Sequence, residues 1–410
     1  MLKTMLQRAG KWAALLLCLI VCYTAVLLLV YLIPDQWVEQ NVNSAIAILE
    51  EEGQPDGGGY ANYFWHSAFG ITDNLTDKVM FGGMLKDGRS TAQAAMRTDY
   101  LRYWHGYAVT LRPLCAVLSI INIRFLNMMV LYALFALCYY HCRKRLGAWA
   151  AFFFGAGLMM SFILIAPFCQ QYMTVYLLTL LACYLLLRFW ERLRRYLPEF
   201  YLMLGSLVCF FDFLTFPVLA LGYPLLLTLL MECRENRPAR TLWLHTVGLS
   251  ALWMIAYALT WLCKAPVGTL LTGENVLADI MEQVAFRTTG DWEYVHVTPL
   301  DSIRINLKTF FFSMNALCFA ALLAAALVRA LRRFGGWKNA LYHLPVAVVA
   351  LWPFAWYCVL QNHVRLHFWM THKQLAVTVF ALGAYLCAAA RNGLCEKMPA
   401  ESDEKILQNP

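Results

Sequence analysis

Apolar residues in this chain gather into ten long runs, broken by short polar or basic stretches. The runs are 12–33, 119–141, 148–167, 171–190, 200–216, 217–233, 242–263, 308–330, 343–361 and 374–391. A helix of roughly 17–25 apolar residues crosses a hydrocarbon core of about 30 Å. The pattern therefore predicts an all-α fold, a polytopic transmembrane helix bundle of about ten spans. Residues 1–410 form one transmembrane domain. Pro167 closes the third run, and Pro217 separates the fifth from the sixth, because proline interrupts a helix.

Between the runs, the connections are unequal. Two are long, 34–118 and 264–307, and a third, 362–373, is short but dense in polar side chains. The first long loop opens with Val38, Val42, Ala45, Ile46 and Leu49 near helical spacing, ending at Glu50–Gly53. That spacing predicts an amphipathic helix, expected to lie along the membrane surface. Gln54–Gly59 reads as a turn. Leu114, Val117 and Ile121 share an apolar face leading into the second span.

Composition agrees with lipid as the solvent. The chain is 61% hydrophobic and 14% charged, against about 25% charged in an average soluble domain. Fourteen cysteines suggest no disulfide framework, since Cys18, Cys22, Cys183, Cys209 and Cys318 lie inside apolar runs as small hydrophobes. Trp12–Ile33 ends at Pro34-Asp35 rather than at a small-residue cleavage site. It reads as a retained span, not a signal peptide.

The net charge of +8 is no nucleic-acid footprint, because the basic residues form short clusters instead of a stripe. With the N-terminus inside, clusters fall at Lys3–Lys11, Arg143–Arg145, Arg188–Arg195, Arg234–Arg240, Arg329–Lys338 and Arg391–Lys405. All then face the cytoplasm, as the positive-inside rule asks. Both termini are expected there, the C-terminal as the tail 392–410. The long loops are then external, and function is expected on that face.

Four motifs carry candidate chemistry. In Thr72-Asp73-Asn74-Leu75-Thr76-Asp77, Asp73 and Asp77 are four apart and share a helix face. Paired acids hold a divalent cation or split their pKa values for acid/base work; equally, Thr and Asp cap a helix start. Asn74-Leu75-Thr76 also matches a glycosylation acceptor. Tyr103-Trp104-His105-Gly106-Tyr107, followed by Arg112 and, further on, Arg124, offers either interfacial anchors or cations for a phosphate. Asp212, in Phe210–Pro217, is a carboxylate within an apolar run, a functional signal by default unless it reaches external water. In Asn362–Lys373, His363 and His367 are four apart, which suits ligands for a metal, grips for an anion, or plain interfacial polarity. Gln170-Gln171 reads as a cap. In the second long loop Asp279, Glu282, Arg287, Asp291, Trp292, Glu293 and His296 are available, and spacing singles out none.

This organisation resembles the GT-C superfamily of membrane glycosyltransferases, which use polyprenyl-phosphate-linked sugars. It is closest to a group of poorly characterised bacterial multi-span proteins with similar segments. Here these are Thr72–Asp77, Tyr103–Tyr107, Asp212–Pro217 and Asn362–His372. The resemblance implies inverting sugar transfer on the external face of a bacterial plasma membrane, to a glycan or lipid acceptor. It makes Asp73 or Asp77 the base and Arg112, His105 and His363 the phosphate partners. Asp212, Asn362 and His367 complete the expected substrate-binding set. In much of the superfamily the acid lies close behind the first span, where this chain has Asp35 and Glu39. A divalent cation is the one candidate cofactor.

The competing reading is a transporter or flippase for a lipid-linked or anionic solute. It calls for inverted repeats and ionisable groups at the midplane. No repeat is evident, and apart from Asp212 the spans are nearly free of charge. A scaffold, the third reading, would leave the polar segments scattered.

Overall fold

The computed structural model describes residues 2–53, 61–62, 70–97, 100–292 and 295–390. For residues 2–6, 62, 291, 292, 295 and 313 it describes backbone only. The turn Gln54–Gly59, Glu293, Arg391 and the tail 392–410 with its Lys397 and Lys405 lie outside the described residues. The fold is all-α apart from two short antiparallel pairs. β1 (Ala61–Asn62) pairs with β2 (Ile71–Thr72), Ala61 opposite Thr72. β3 (Asp291–Trp292) pairs with β4 (Val295–His296), Asp291 opposite His296.

Each apolar run holds helix. The first is α1 (Leu2–Val30). After the loop helices come α6 (Ile120–Leu146), α7 (Ala148–Met160), α8 (Gln170–Leu193), α9 (Leu197–Phe211), α10 (Val218–Arg234) and α11 (Ala239–Thr272). Then follow α14 (Ser313–Arg332), α15 (Trp337–Val348) with α16 (Trp352–Val359), and α19 (Ala376–Ala389). By length and composition six segments can cross a membrane: Gln7–Val30, Ile120–Leu146, Gln170–Leu193, Ala239–Thr272, Met314–Arg332 and Trp337–Val359. The protein is an integral membrane protein on that ground. α7 and α9 are apolar but shorter. The third run stops being α-helical at Met160, before Pro167, and continues as a 3-10 turn over Ile163–Phe168. Pro217 caps α10 as expected.

Helix order sets two ends. At one, Trp12 Nε1 donates to Glu199 at 3.1 Å, Arg194 pairs with Glu235, and Tyr342 Oη donates to the Arg237 carbonyl. Arg143–Arg145 sit in the last turn of α6 there. This is the basic end. The other end receives the long connections. These contain α2 (Asp35–Gly53), α3 (Asn74–Gly82), α4 (Thr91–Met96) and α5 (Ala108–Cys115), then α12 (Val276–Thr288) and α13 (Pro299–Phe310). The short α17 (Gln361–Leu366) and α18 (Phe368–Thr371) also lie at this loop end.

Helix α10 is buried on every side from Val218 to Cys233, which marks a central helix. Its neighbours include α8, α11 and α19. In lipid no hydrophobic force pulls helices together, so close contact depends on small residues and van der Waals packing. Gly205 on α9 illustrates this: a Cβ there would stand 2.3 Å from the Trp253 carbonyl oxygen on α11.

The amphipathic helix α2 does not give its apolar stripe to lipid. Val38, Val42, Ala45 and Leu49 are buried, in one cluster with Met80, Phe81, Tyr107 and Ile123. Asn74 is buried too, donating to Leu49 O and Glu52 Oε2, both at 3.2 Å, so it is no glycosylation acceptor in the folded chain. Val117 and Ile121 are exposed, as their shared face predicts. All described cysteines are free.

Gly205→Ala is expected to cost about 1–3 kcal/mol through overpacking against a backbone that cannot yield. Gly248→Ala, with no atom within 4 Å of the new Cβ, is expected to cost nothing. Thermal unfolding of the two variants in one detergent checks the contrast.

Candidate functional site

The acid motif folds as a capped helix start and is buried as well. Asp73 is the N-cap of α3 and accepts from Thr76 N at 2.9 Å through Oδ1. Asp77, one turn on, reaches across to another helix. Its Oδ2 accepts from Gln170 N at 2.8 Å and its Oδ1 from Gln171 N at 3.3 Å. These are orphan N–H groups of the first turn of α8, where a carboxylate is favoured. Gln170 and Gln171 thus stand at a capped helix start and supply its backbone donors. Both carboxyls are buried, Asp73 at 2% and Asp77 at 1% exposure.

Burial dominates their ionisation. It raises Asp77, offset in part by the Gln170 N–H, while the neighbouring Asp73 charge raises it further; the result is about 7. Burial likewise raises Asp73, opposed by Thr76 and by the Gln171 and Trp369 side chains that face it. Two adjacent acids in one dry site do not both ionise readily, so they titrate as a pair.

Trp369 joins the acids to the histidine segment. The His367 ring lies 5.3 Å from Trp369 and 4.8 Å from His363. His363 Nε2 donates to the Leu214 carbonyl at 2.6 Å, while Arg287 donates to its Nδ1. Arginine cannot accept, so His363 is a neutral imidazole with its proton on Nε2. Burial, then Arg287 and His367, hold its pKa well below the usual value. Burial and Arg287 lower His367 to about 4. Neither histidine is a cation at neutral pH, and the positive charge here belongs to Arg287. Asn362 holds the same loop by donating to the Phe286 carbonyl at 2.6 Å.

Asp212 closes this side. It ends α9, and accepts from Thr215 Oγ1 at 2.5 Å and Thr215 N at about 3.1 Å. It is 3% exposed, so it does not simply reach water. Tyr103 and Tyr257 lie within its electrostatic reach, and Arg287 lies within reach of the same two tyrosines. Lys373, also buried, donates to the Ser161 carbonyl at 3.3 Å and stands over the Tyr172 ring.

The Tyr103–Tyr107 motif is a docking platform. Gly106 N donates to the Phe210 carbonyl at 2.9 Å, and a Cβ at Gly106 would meet that oxygen at 2.5 Å. Trp104 Nε1 donates to Thr260 O at 2.7 Å. His105 is wired internally: Arg97 donates to Tyr107 Oη at 2.8 Å, and Tyr107 Oη lies 3.2 Å from His105 Nδ1. Its Nε2 donates to the Tyr100 carbonyl at 2.7 Å. Burial, with Arg97 and Lys264, keeps it neutral. His105 therefore supports the Phe210–Phe213 segment and is not a cation held out to a phosphate.

Arg112 is placed elsewhere. Fully buried, it donates to Val30 O, Ile33 O and Asp35 Oδ1, at 3.1, 2.5 and 2.6 Å. It locks the end of α1 to α2. Burial would raise the Asp35 carboxyl, but Arg112 and the Lys86 N–H hold it below the usual carboxylate range, which makes Asp35 a poor base. Arg124 is bidentate on Glu52 at 2.6 and 2.8 Å.

The fold thus brings together Asp73, Asp77, Asp212, Asn362, His363 and His367, and leaves His105 behind the platform and Arg112 at the α1–α2 corner. Arg287, Trp369 and Gln171 join this group of residues, although nothing in the sequence assigned any of them a catalytic or substrate-binding role. No spacing signals them, because they come from three segments that meet only in the fold. Among the described residues no group of three or more His, Cys, Asp or Glu is placed to hold a metal ion.

Asp77 sets a pH dependence of stability. Its folded pKa is raised, so its contribution is fully present below the unfolded value of about 4 and lost as pH rises through about 7. Buried His105, His363 and His367, with lowered pKa values, act with the opposite sign, so the readout is the difference between wild type and Asp77→Asn. From pH 5 to pH 8 the thermal midpoint of the wild type should fall relative to that of the variant. A difference that stays constant over this range would contradict the buried-acid assignment. No family model, curated protein or solved structure matches the chain.

Proposed function

We infer that the protein is a GT-C-like membrane glycosyltransferase, moving a sugar from a polyprenyl-phosphate donor to a glycan or lipid acceptor hydroxyl. The observation that carries this reading is the buried Asp73–Asp77 pair beside a layer containing Arg287, His363, His367, Trp369 and Asp212. In this reading the chain crosses a bacterial plasma membrane ten times, with both termini in the cytoplasm and the loop end outside.

The roles follow from the hydrogen bonds. Both oxygens of Asp77 already accept backbone N–H groups, so Asp77 is the positioning acid. Asp73 Oδ1 accepts from Thr76 N, which leaves the rest of its carboxylate to the Gln171 and Trp369 side. Asp73 takes the proton from the acceptor hydroxyl. The acceptor oxygen bonds to the anomeric carbon as the bond from that carbon to the phosphate oxygen breaks. The departing lipid phosphate carries the electron pair, and the Arg287 guanidinium is the charge that stabilises it. Neutral His363 and His367 hold the guanidinium and the sugar face.

A lipid donor also needs an apolar approach. A crevice of about 250 Å³ lies between α10, α11 and α16, lined by Val218, Met254, Trp352 and Trp356. Trp356 touches Tyr257, with ring centroids 6.3 Å apart, and Tyr257 is within reach of Asp212 and Arg287. This places an apolar surface beside the polar layer on its membrane side.

The test is transfer of radiolabelled sugars from polyprenyl-phosphate donors to membrane-extract acceptors by purified protein in lipid. Asp73→Asn is expected to lower transfer by about 10²–10⁴-fold, the usual weight of a general base. Arg287→Gln is expected to lower it comparably, and His105→Gln mainly to lower stability. The wild-type rate should rise with pH at values above the usual carboxylate range, because burial raises Asp73. Full transfer by Asp73→Asn would remove it as the base. Solute uptake into vesicles without any transfer would move the assignment to transport.

A further inference from the structure

At the basic end, opposite the acid pair, a cleft of about 760 Å³ opens among the C-terminal turns of α6, α8 and α10. Its walls carry Lys144, Arg145, Arg188 and Arg234, with Glu191 and Glu235. The two acids are already committed. Glu235 accepts from Trp190 Nε1 at 2.5 Å, from Arg194 Nη1 at 3.0 and 3.1 Å, and from Arg237 Nε at 3.2 Å. Glu191 pairs with Arg194 at 2.9 Å. Arg194 and Arg237 thus offset both negative charges from outside the cleft.

Lys144, Arg145 and Arg188 form no ion pair among the described residues. All three stand within electrostatic reach of one imidazole, His141. Arg234 meets the same corner by donating to the Arg145 carbonyl. Cations at helix C-termini gain about 0.3–1 kcal/mol each from the helix dipole, and that explains single residues. It does not explain three like charges converging on one open cavity, where mutual repulsion favours a bound anion.

The location narrows the anion. The cleft sits at the ends of α6 and α8, two of the helices long enough to span the membrane, and the end of a spanning helix meets the headgroup layer. Tyr140 at its rim is 56% exposed, as an interfacial aromatic should be. Leu137 and Leu181 present exposed apolar flanks further into the membrane on α6 and α8. Basic pockets between membrane helices recognise anionic headgroups. We propose that this cleft binds the headgroup phosphate of an anionic phospholipid, with Arg188, Arg145 and Lys144 on the phosphate oxygens and the chains along α6 and α8.

Native mass spectrometry of the full-length protein in detergent tests this, with phosphatidylglycerol and phosphatidylcholine of equal chain length as probes. The wild type should retain one more phosphatidylglycerol than a Lys144→Gln, Arg145→Gln, Arg188→Gln variant, whose apparent affinity should fall at least tenfold. A control removing three exposed charges of the same end, Arg240→Gln, Arg332→Gln and Lys338→Gln, should bind as the wild type does. If the triple variant is thermally weakened, Arg188→Gln alone carries the test and should lose affinity several-fold. Equal loss in the control, or undiminished binding in Arg188→Gln and the triple variant, overturns the site. Displacement of the lipid by millimolar inorganic phosphate overturns the lipid assignment and leaves a soluble phosphate as the ligand. Retention of the lipid under those conditions supports the lipid.

Discussion

The carboxylate of Asp77 closes the amino terminus of α8 from a different part of the chain. Helices α2, α3, α4 and α5 form a cap over the loop end, and among the described residues nothing covalent fixes that cap to the bundle beyond its two ends. Asp77 supplies one of its ties, beside Arg124 on Glu52, Trp104 on the Thr260 carbonyl and Gly106 on the Phe210 carbonyl. It satisfies two N–H groups that would otherwise be orphaned in a dry environment. The tie also determines the ionisation of the site. A carboxylate held this deeply, next to a second one, cannot keep an ordinary pKa, and the acid motif acquires acid/base character from the contact that anchors it.

Around that tie, the other buried polar groups divide into two kinds. Some are closed circuits. Arg112 is engaged by two carbonyls and Asp35, and Arg97, Tyr107, His105 and the Tyr100 carbonyl form a relay that ends on backbone. These hold α1, α2 and the Tyr103–Tyr107 platform in place. Others retain chemical capacity. Asp73 offers its carboxylate to the Gln171–Trp369 side, and Arg287 rests on an imidazole where a carboxylate would have neutralised it. A charge supported by a neutral partner stays available to an anion. The same distinction separates Arg194, committed to Glu235 and Glu191, from Arg188 at the opposite end.

The ten apolar runs and the basic clusters were legible in sequence because each depends only on neighbouring residues: an apolar stretch prefers lipid wherever it folds, and helix spacing is local. The positions of Asp73 as a cap and Pro217 as a helix start were legible for the same reason. The amphipathic stripe of α2 was legible as a stripe, but its partner was not. Lipid and a protein surface present the same apolar demand, and only the fold decided that Met80, Phe81 and Ile123 cover it.

The sequence by itself thus determined a helical membrane protein, the two unequal ends and the shortlist of acids, histidines and arginines. Tertiary structure alone decided which of them act together. It moved Arg112 and His105 into structural circuits, brought Gln171 and Trp369 to the acids, and set Arg287 against His363. It also made His363 and His367 neutral, by burying them against an arginine. The physical reason is that charge state and pairing depend on burial and on neighbours across space, and neither is written in the spacing of residues along the chain.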